Sequence, residues 1–93
     1  MIVGLLSIEI YIPASTSLKE KRMVLNHIRD KVRKKFNVSV AEVEYLEKWQ
    51  RSLIAIAMVT AKKSFAEEVL TKIFQLLDSD LSFEINKYTI EYR

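Results

Sequence analysis

Between Ser17 and Val43 the apolar residues change period once, from that of a helix to that of a strand. This switch limits the fold more than any other stretch. Ser17 and Glu20 stand three apart, the spacing of a capping box, in which the hydroxyl accepts from the free amide three residues on and the carboxylate reaches back. Leu18, Leu25, Ile28, Val32 and Phe36 then recur at helical spacing and predict one buried stripe. Asn37 follows the last of them, a residue suited to a left-handed stop. Val38 to Tyr45 is rich in strand formers, with Val38, Val40, Glu42 and Glu44 on one face and Ser39, Ala41, Val43 and Tyr45 on the other. The paired acids predict an edge strand, where charge discourages stray pairing.

The flanking segments complete the order. Ile2 to Ile12 alternates, with Ile2, Leu6, Ile8, Ile10 and Ile12 on one face and Val3, Leu5, Ser7, Glu9 and Tyr11 on the other. Pro13 ends that strand, because it has no amide to donate. Gly4 lies on the first face and leaves room for a helix to pack closely. Arg51 to Ala61 is apolar on both faces, which predicts a central strand covered on both sides. Ser64 and Glu67 repeat the capping-box spacing ahead of Phe65, Ala66, Val69, Leu70, Ile73, Leu76 and Leu77, an amphipathic helix broken by Asp78-Ser79-Asp80. In the last strand, Phe83 to Tyr92, the apolar parity slips from odd to even, and a bulge near Asn86-Lys87 reconciles the halves.

The sum is βαββαβ. Right-handed crossovers then give an α+β, ferredoxin-like domain spanning residues 1–93, a four-stranded antiparallel sheet with both helices on one face. Two helices cover only one side. Val3, Leu5, Leu53, Ala55, Ala57 and Val59 therefore share the open face and form an apolar patch of the kind a homodimer covers.

Charge is distributed unevenly. Between Leu18 and Phe36 stand eight Lys/Arg and two acids, while the whole chain carries only +3. Lys19, Arg22, Asn26, Arg29 and Arg33 recur at spacings of three and four and line one flank of the helix, with Lys21, Lys31, Lys34 and Lys35 around the rest. Such a rod suits a phosphate backbone. The plainer reading is a solvated face whose Arg33, Lys34 and Lys35 complement the helix dipole. Trp49 and Arg51, between the edge and central strands, are candidate anchors, Trp49 for a base or partner and Arg51 for a phosphate; the alternative is that Trp49 closes one end of the core or of the dimer seam.

Catalytic signals are missing. There is no cysteine, phosphate loop or dinucleotide fingerprint. His27 with Asp30 lacks a nucleophile, and Glu42 with Glu44 lacks a third metal ligand. Pro13-Ala14-Ser15-Thr16 offers no anion cradle of the acylphosphatase kind, and no GxxG forms a KH clamp. A base-stacking platform on the central strands is not expected either, since Tyr11 is the sole aromatic of the open face. The expectation is a non-enzymatic protein without cofactor or metal. It is expected to be cytoplasmic, given no cysteine, no signal-peptide pattern and no apolar run long enough for a bilayer.

Ser17-Leu18-Lys19-Glu20-Lys21-Arg22, Phe36-Asn37-Val38-Ser39-Val40-Ala41-Glu42-Val43 and Trp49-Gln50-Arg51 together resemble the YlxP-like family of small bacterial proteins, over essentially the whole chain. The resemblance implies a ferredoxin-like fold in a family of unknown function, whose genes commonly lie near those of translation initiation and ribosome maturation. It implies an RNA- or ribosome-associated role, with ribosomal RNA or an assembly factor as partner, and carries over no catalytic residue. The nucleic-acid-binding set expected here is Lys19, Lys21, Arg22, Arg29, Arg33, Lys34, Trp49 and Arg51. The alternative is a structural or regulatory homodimer that binds a protein or small ligand at its sheet face or dimer groove.

Overall fold

The computed structural model describes residues 1–93. Strand β1 (Ile2–Tyr11) leads through helix α1 (Leu18–Lys35) to β2 (Ser39–Glu44) and β3 (Arg51–Thr60), then through α2 (Lys63–Asp78) to β4 (Glu84–Tyr92). The sheet order is β2-β3-β1-β4, antiparallel throughout. The edge and central assignments agree with the sequence pattern, because only β1 and β3 alternate apolar residues on both faces.

The core lies between the sheet and the helices. Leu6, Ile8, Ile10 and Ile12 meet Ile54, Ile56 and Met58 from the sheet and Ile28, Val32, Ala66, Leu70, Ile73 and Leu77 from the helices. Each of these side chains except Ala66 contributes about 1.5–3 kcal/mol on burial. Gly4 has the role its position predicts. A Cβ there would stand 3.0 Å from Leu70 Cδ1 and 3.4 Å from Ala66 Cβ, so α2 docks onto bare backbone. The bulge also lies where parity places it. Glu9 pairs with Lys87 but Ile10 with Ile85, which leaves Asn86 as the extra residue.

Three local expectations are corrected. Asn37 is not a left-handed stop: Phe36 caps α1 in extended conformation (φ −134°, ψ 143°), and the chain runs directly into β2. The left-handed residue is Tyr45 (φ 63°), in the β2–β3 connection. Ser64 does not cap α2, which begins at Lys63 with Lys62 as an N-cap that makes no side-chain bond. Its start follows from seating Ala66 and Leu70 over Gly4. Glu42 and Glu44 do not share a face, since a register shift sets Glu42 opposite Ile54 and Glu44 opposite Leu53. The first belongs to the helix side, the second to the open side.

Candidate nucleic-acid interface

Helix α1 begins as its sequence directs, with Ser17 Oγ accepting from Glu20 N–H at 3.1 Å. The carboxylate of Glu20 takes the Thr16 hydroxyl rather than returning to a backbone amide. In the last turn Arg33, Lys34 and Lys35 stand at the negative end of the dipole.

Lys21 is not a surface cation, which corrects its place in the binding set. It is 1% exposed. Its ammonium donates to the carbonyls of Tyr45 at 2.8 Å, Arg51 at 3.2 Å and Leu46 at 3.5 Å. Glu42 Oε2 completes the cage at 2.7 Å and also accepts from Ser52 Oγ at 2.7 Å. The side chain thus ties α1 to the loop between β2 and β3. A signal was present: position 21 continues the stripe Leu18, Leu25, Ile28, Val32 at spacings of three and four, so it points inward.

Lys31 is also engaged, 3.3 Å from Asp80 Oδ2, as is His27 Nε2 at 3.3 Å. The carboxylate near His27 is therefore Asp80, from the α2–β4 loop, and not Asp30. Burial opposes ionisation of Asp80, but Ser82, through its hydroxyl and its N–H, and Lys31 outweigh that and hold its pKa at about 2. With Lys21 and Lys31 removed from the eight cations of α1, six remain without a carboxylate partner: Lys19, Arg22, Arg29, Arg33, Lys34 and Lys35. All are exposed except Arg29, which is half-buried beside Leu25 and Val40 of the β2 side, with its Nη1 3.4 Å from Asn26 Oδ1. Arg33 continues the line along β2, facing Asn37, Val38 and Ser39. From Lys19 to Arg33 this flank is about 21 Å long at the helical rise.

At the opposite end of the open face, Arg51 is already paired. Its Nη2 lies 3.0 Å from Glu9 Oε1, and its guanidinium stacks 4.0 Å above the Tyr45 ring. Arg51 holds the Glu9 carboxyl below the usual range, and burial works against it. Asn86 Nδ2, the bulge residue, adds a contact at 3.5 Å. Arg51 therefore anchors one end of the sheet, although nearly half its side chain is exposed (46%). Trp49 does not close the core. It is 56% exposed and borders a hollow of about 480 Å³ with Tyr11, Glu47, Lys48, Gln50 and Arg51.

Val3, Leu5, Leu53, Ala55, Ala57 and Val59 lie together on the face away from the helices, with Val3 opposite Val59 and Leu5 opposite Ala57. None belongs to the core, and Val59 is 67% exposed. Ser7 and the Glu9–Arg51 pair interrupt the patch toward the Trp49 end. No three carboxylate, imidazole or thiol groups are placed to hold a metal ion, and no helix is long and apolar enough to cross a membrane.

The topology and the single layer of helices define a ferredoxin-like α/β sandwich. Two designed proteins share it: one designed with a ferredoxin fold (TM-score 0.59, 11% identity, covering all of this chain and 84% of that one), and Foldit4 (TM-score 0.54, 14% identity, 98% and 96%). Residues 3–90 match a family described as a protein of unknown function, and the chain belongs to this DUF503 family. It is 39% identical over 77 residues to the uncharacterized protein YlxP of Bacillus subtilis (strain 168), covering 83% of this chain and 84% of that protein. The family resemblance carried by the three motifs is thereby established.

Proposed function

We propose that this protein is a non-enzymatic accessory factor that binds RNA, on or near the ribosome, through the outer flank of α1. The observation that carries this reading is the sorting of charges. Where a lysine of α1 serves the fold, as Lys21 and Lys31 do, it has a carboxylate partner; six others have none, on one helix of an otherwise mildly acidic chain. An element used only for solubility would mix signs. A row of unpaired cations is suited to releasing counterions from a phosphate backbone.

The test is fluorescence anisotropy of labelled ribosomal RNA fragments across a salt series. Arg22→Glu, Arg29→Glu and Arg33→Glu together should abolish binding at moderate salt. Four flank cations on a single strand predict a log–log salt slope of about −3. Binding by the triple variant equal to that of the parent refutes the assignment.

A second reading concerns the open face. Val3, Leu5, Leu53, Ala55, Ala57 and Val59 are contiguous and unpartnered by any element of the chain, which favours a homodimer packed sheet to sheet. Sedimentation equilibrium at micromolar concentration should give twice the chain mass, and Leu53→Lys should restore the monomer. A monomeric parent protein removes this reading and leaves the first untouched.

A further inference from the structure

We propose that the hollow beside Trp49 seats one unpaired nucleobase, so that the nucleic acid this protein takes is single-stranded where it leaves the α1 flank. The inference rests on the RNA reading above and adds to it the form of the RNA.

Three features of the hollow support it. First, Trp49 is the chain's sole tryptophan and is 56% exposed at the edge of the hollow, with ring surface open to solvent. Base–aromatic stacking needs such a surface and tolerates any sequence. Second, the surrounding groups, the Glu47 carboxylate apart, suit a nucleotide. Tyr11 supplies a second aromatic, Lys48 has no carboxylate partner, and the Arg51 guanidinium is fixed by Glu9 on one side and Tyr45 on the other. Third, the backbone around the hollow is tied down by hydrogen bonds. Gln50 Nε2 donates to Pro13 O and Ser15 O, both at 3.1 Å, and Ile12 N–H donates to Gln50 O at 2.8 Å. From behind, Lys21 gathers the carbonyls of Tyr45, Leu46 and Arg51. A loop stitched in this way loses little further freedom on binding.

Lys21 also fixes where the hollow lies relative to the flank. Lys19 and Arg22 leave the same turn of α1 whose Lys21 reaches the loop, so the row of cations begins one lysine side chain from the segment that carries Trp49. A strand with its base on Trp49 would reach Lys19 and Arg22 by passing around the end of the sheet at the β2–β3 loop. A duplex cannot do so along its length, because its interior bases are stacked on both sides and offer no free face. The middle of the sheet, with Ser7, Ala55 and Ala57, has no aromatic to do this work, which confines stacking to the Trp49 end.

Because Trp49 is the only tryptophan, its emission reports the hollow, while anisotropy of a labelled RNA reports binding as a whole. The full chain is titrated with single-stranded oligoadenylate and with a blunt RNA duplex of equal length, at low salt. The single strand should quench Trp49 emission in step with the rise in anisotropy, and the duplex should leave emission unchanged. Trp49→Ala should weaken the single strand by about 5- to 150-fold, Trp49→Phe by less, both with parental melting temperature. Anisotropy that rises while emission stays constant, or affinity unchanged in Trp49→Ala, overturns the seat and leaves the α1 flank standing. Equal quenching by the duplex overturns the single-strand assignment. No anisotropy change with either RNA overturns both readings.

Discussion

Replacing Lys21 by Met tests whether a lysine in the signature stretch belongs to the fold rather than to the interface. Met keeps the length and apolar stem of the side chain, so the change is mainly the loss of the ammonium. Glu42, with its side chain 17% exposed, then keeps only Ser52 Oγ, and the carbonyls of Leu46 and Arg51 lose their side-chain donor. Tyr45 O still accepts from Lys48 N–H at 3.0 Å, which limits the damage. Breaking a buried pair by removing one partner costs about 3–5 kcal/mol, and the partial exposure of Glu42 favours the lower end, about 3 kcal/mol. Against a total stability on the order of 5–15 kcal/mol, this is a large fraction. In urea the midpoint should fall by about 1–3 M, since the slope for a small domain is about 1–3 kcal/mol per molar. Adding Glu42→Gln should recover part of the loss, because the orphaned charge is removed. Arg22→Met, one residue along and exposed, should stay within about 0.5 kcal/mol of the parent. A Lys21→Met protein as stable as Arg22→Met would refute the cage as a structural device. Loss of RNA binding without loss of stability would return Lys21 to the interface.

Asp80 predicts a pH window. Its folded pKa of about 2 lies below the ordinary carboxylate value, so its contribution is complete above pH about 4 and is lost as pH falls through about 2. Lys31→Met should shrink that acid-labile contribution, on the order of 1–2 kcal/mol after allowance for screening, in urea titrations repeated between pH 5 and 2; an unchanged acid profile would refute it. Glu9 acts in the same direction, present above the ordinary value and lost as it protonates. At Gly4, valine would be driven into Leu70 and Ala66, so Gly4→Val should cost about 1–3 kcal/mol by thermal or chemical unfolding. A neutral Gly4→Val would mean that α2 can lift from the sheet without penalty.

The architecture was legible because it depends on period and parity, and these survive in one sequence. The slip from Ile85 to Tyr88 located the bulge, and Gly4 marked the docking site of α2. The misreadings share one cause, which is that a local signal lost to tertiary packing. Ser64 has the right spacing for a cap, yet α2 starts where Ala66 and Leu70 must sit. Asn37 suits a left-handed stop, but the chain needed no reversal there and spent its left-handed residue at Tyr45. Glu42 and Glu44 alternate in sequence and part in space because the register shifts between them. The partners of Glu9 (Arg51, Asn86 and Lys87) come from two different strands, and no spacing rule reaches across that separation.

The basic stretch shows how far a count of charges can be trusted. All eight cations of α1 are equivalent to a composition argument, and most to a helical-wheel argument, yet the fold treats them differently. A lysine at a stripe position must bring its charge into the interior, where an unpaired ammonium costs several kcal/mol unless carbonyls and a carboxylate meet it. The loop after β2 provides them because Tyr45 turns left-handed there, and so a lysine expected to support binding fastens the loop that holds Trp49. Lys19, Arg22, Arg29 and Arg33 lie off that stripe and have no carboxylate partner. A substitution series along α1 should therefore divide by helical position and not by charge: stability falls at Lys21 and, by less, at Lys31, and salt-dependent binding falls on the flank. If both fell together along the whole row, the flank would be part of the scaffold and the surface for a polyanion would have to be sought elsewhere.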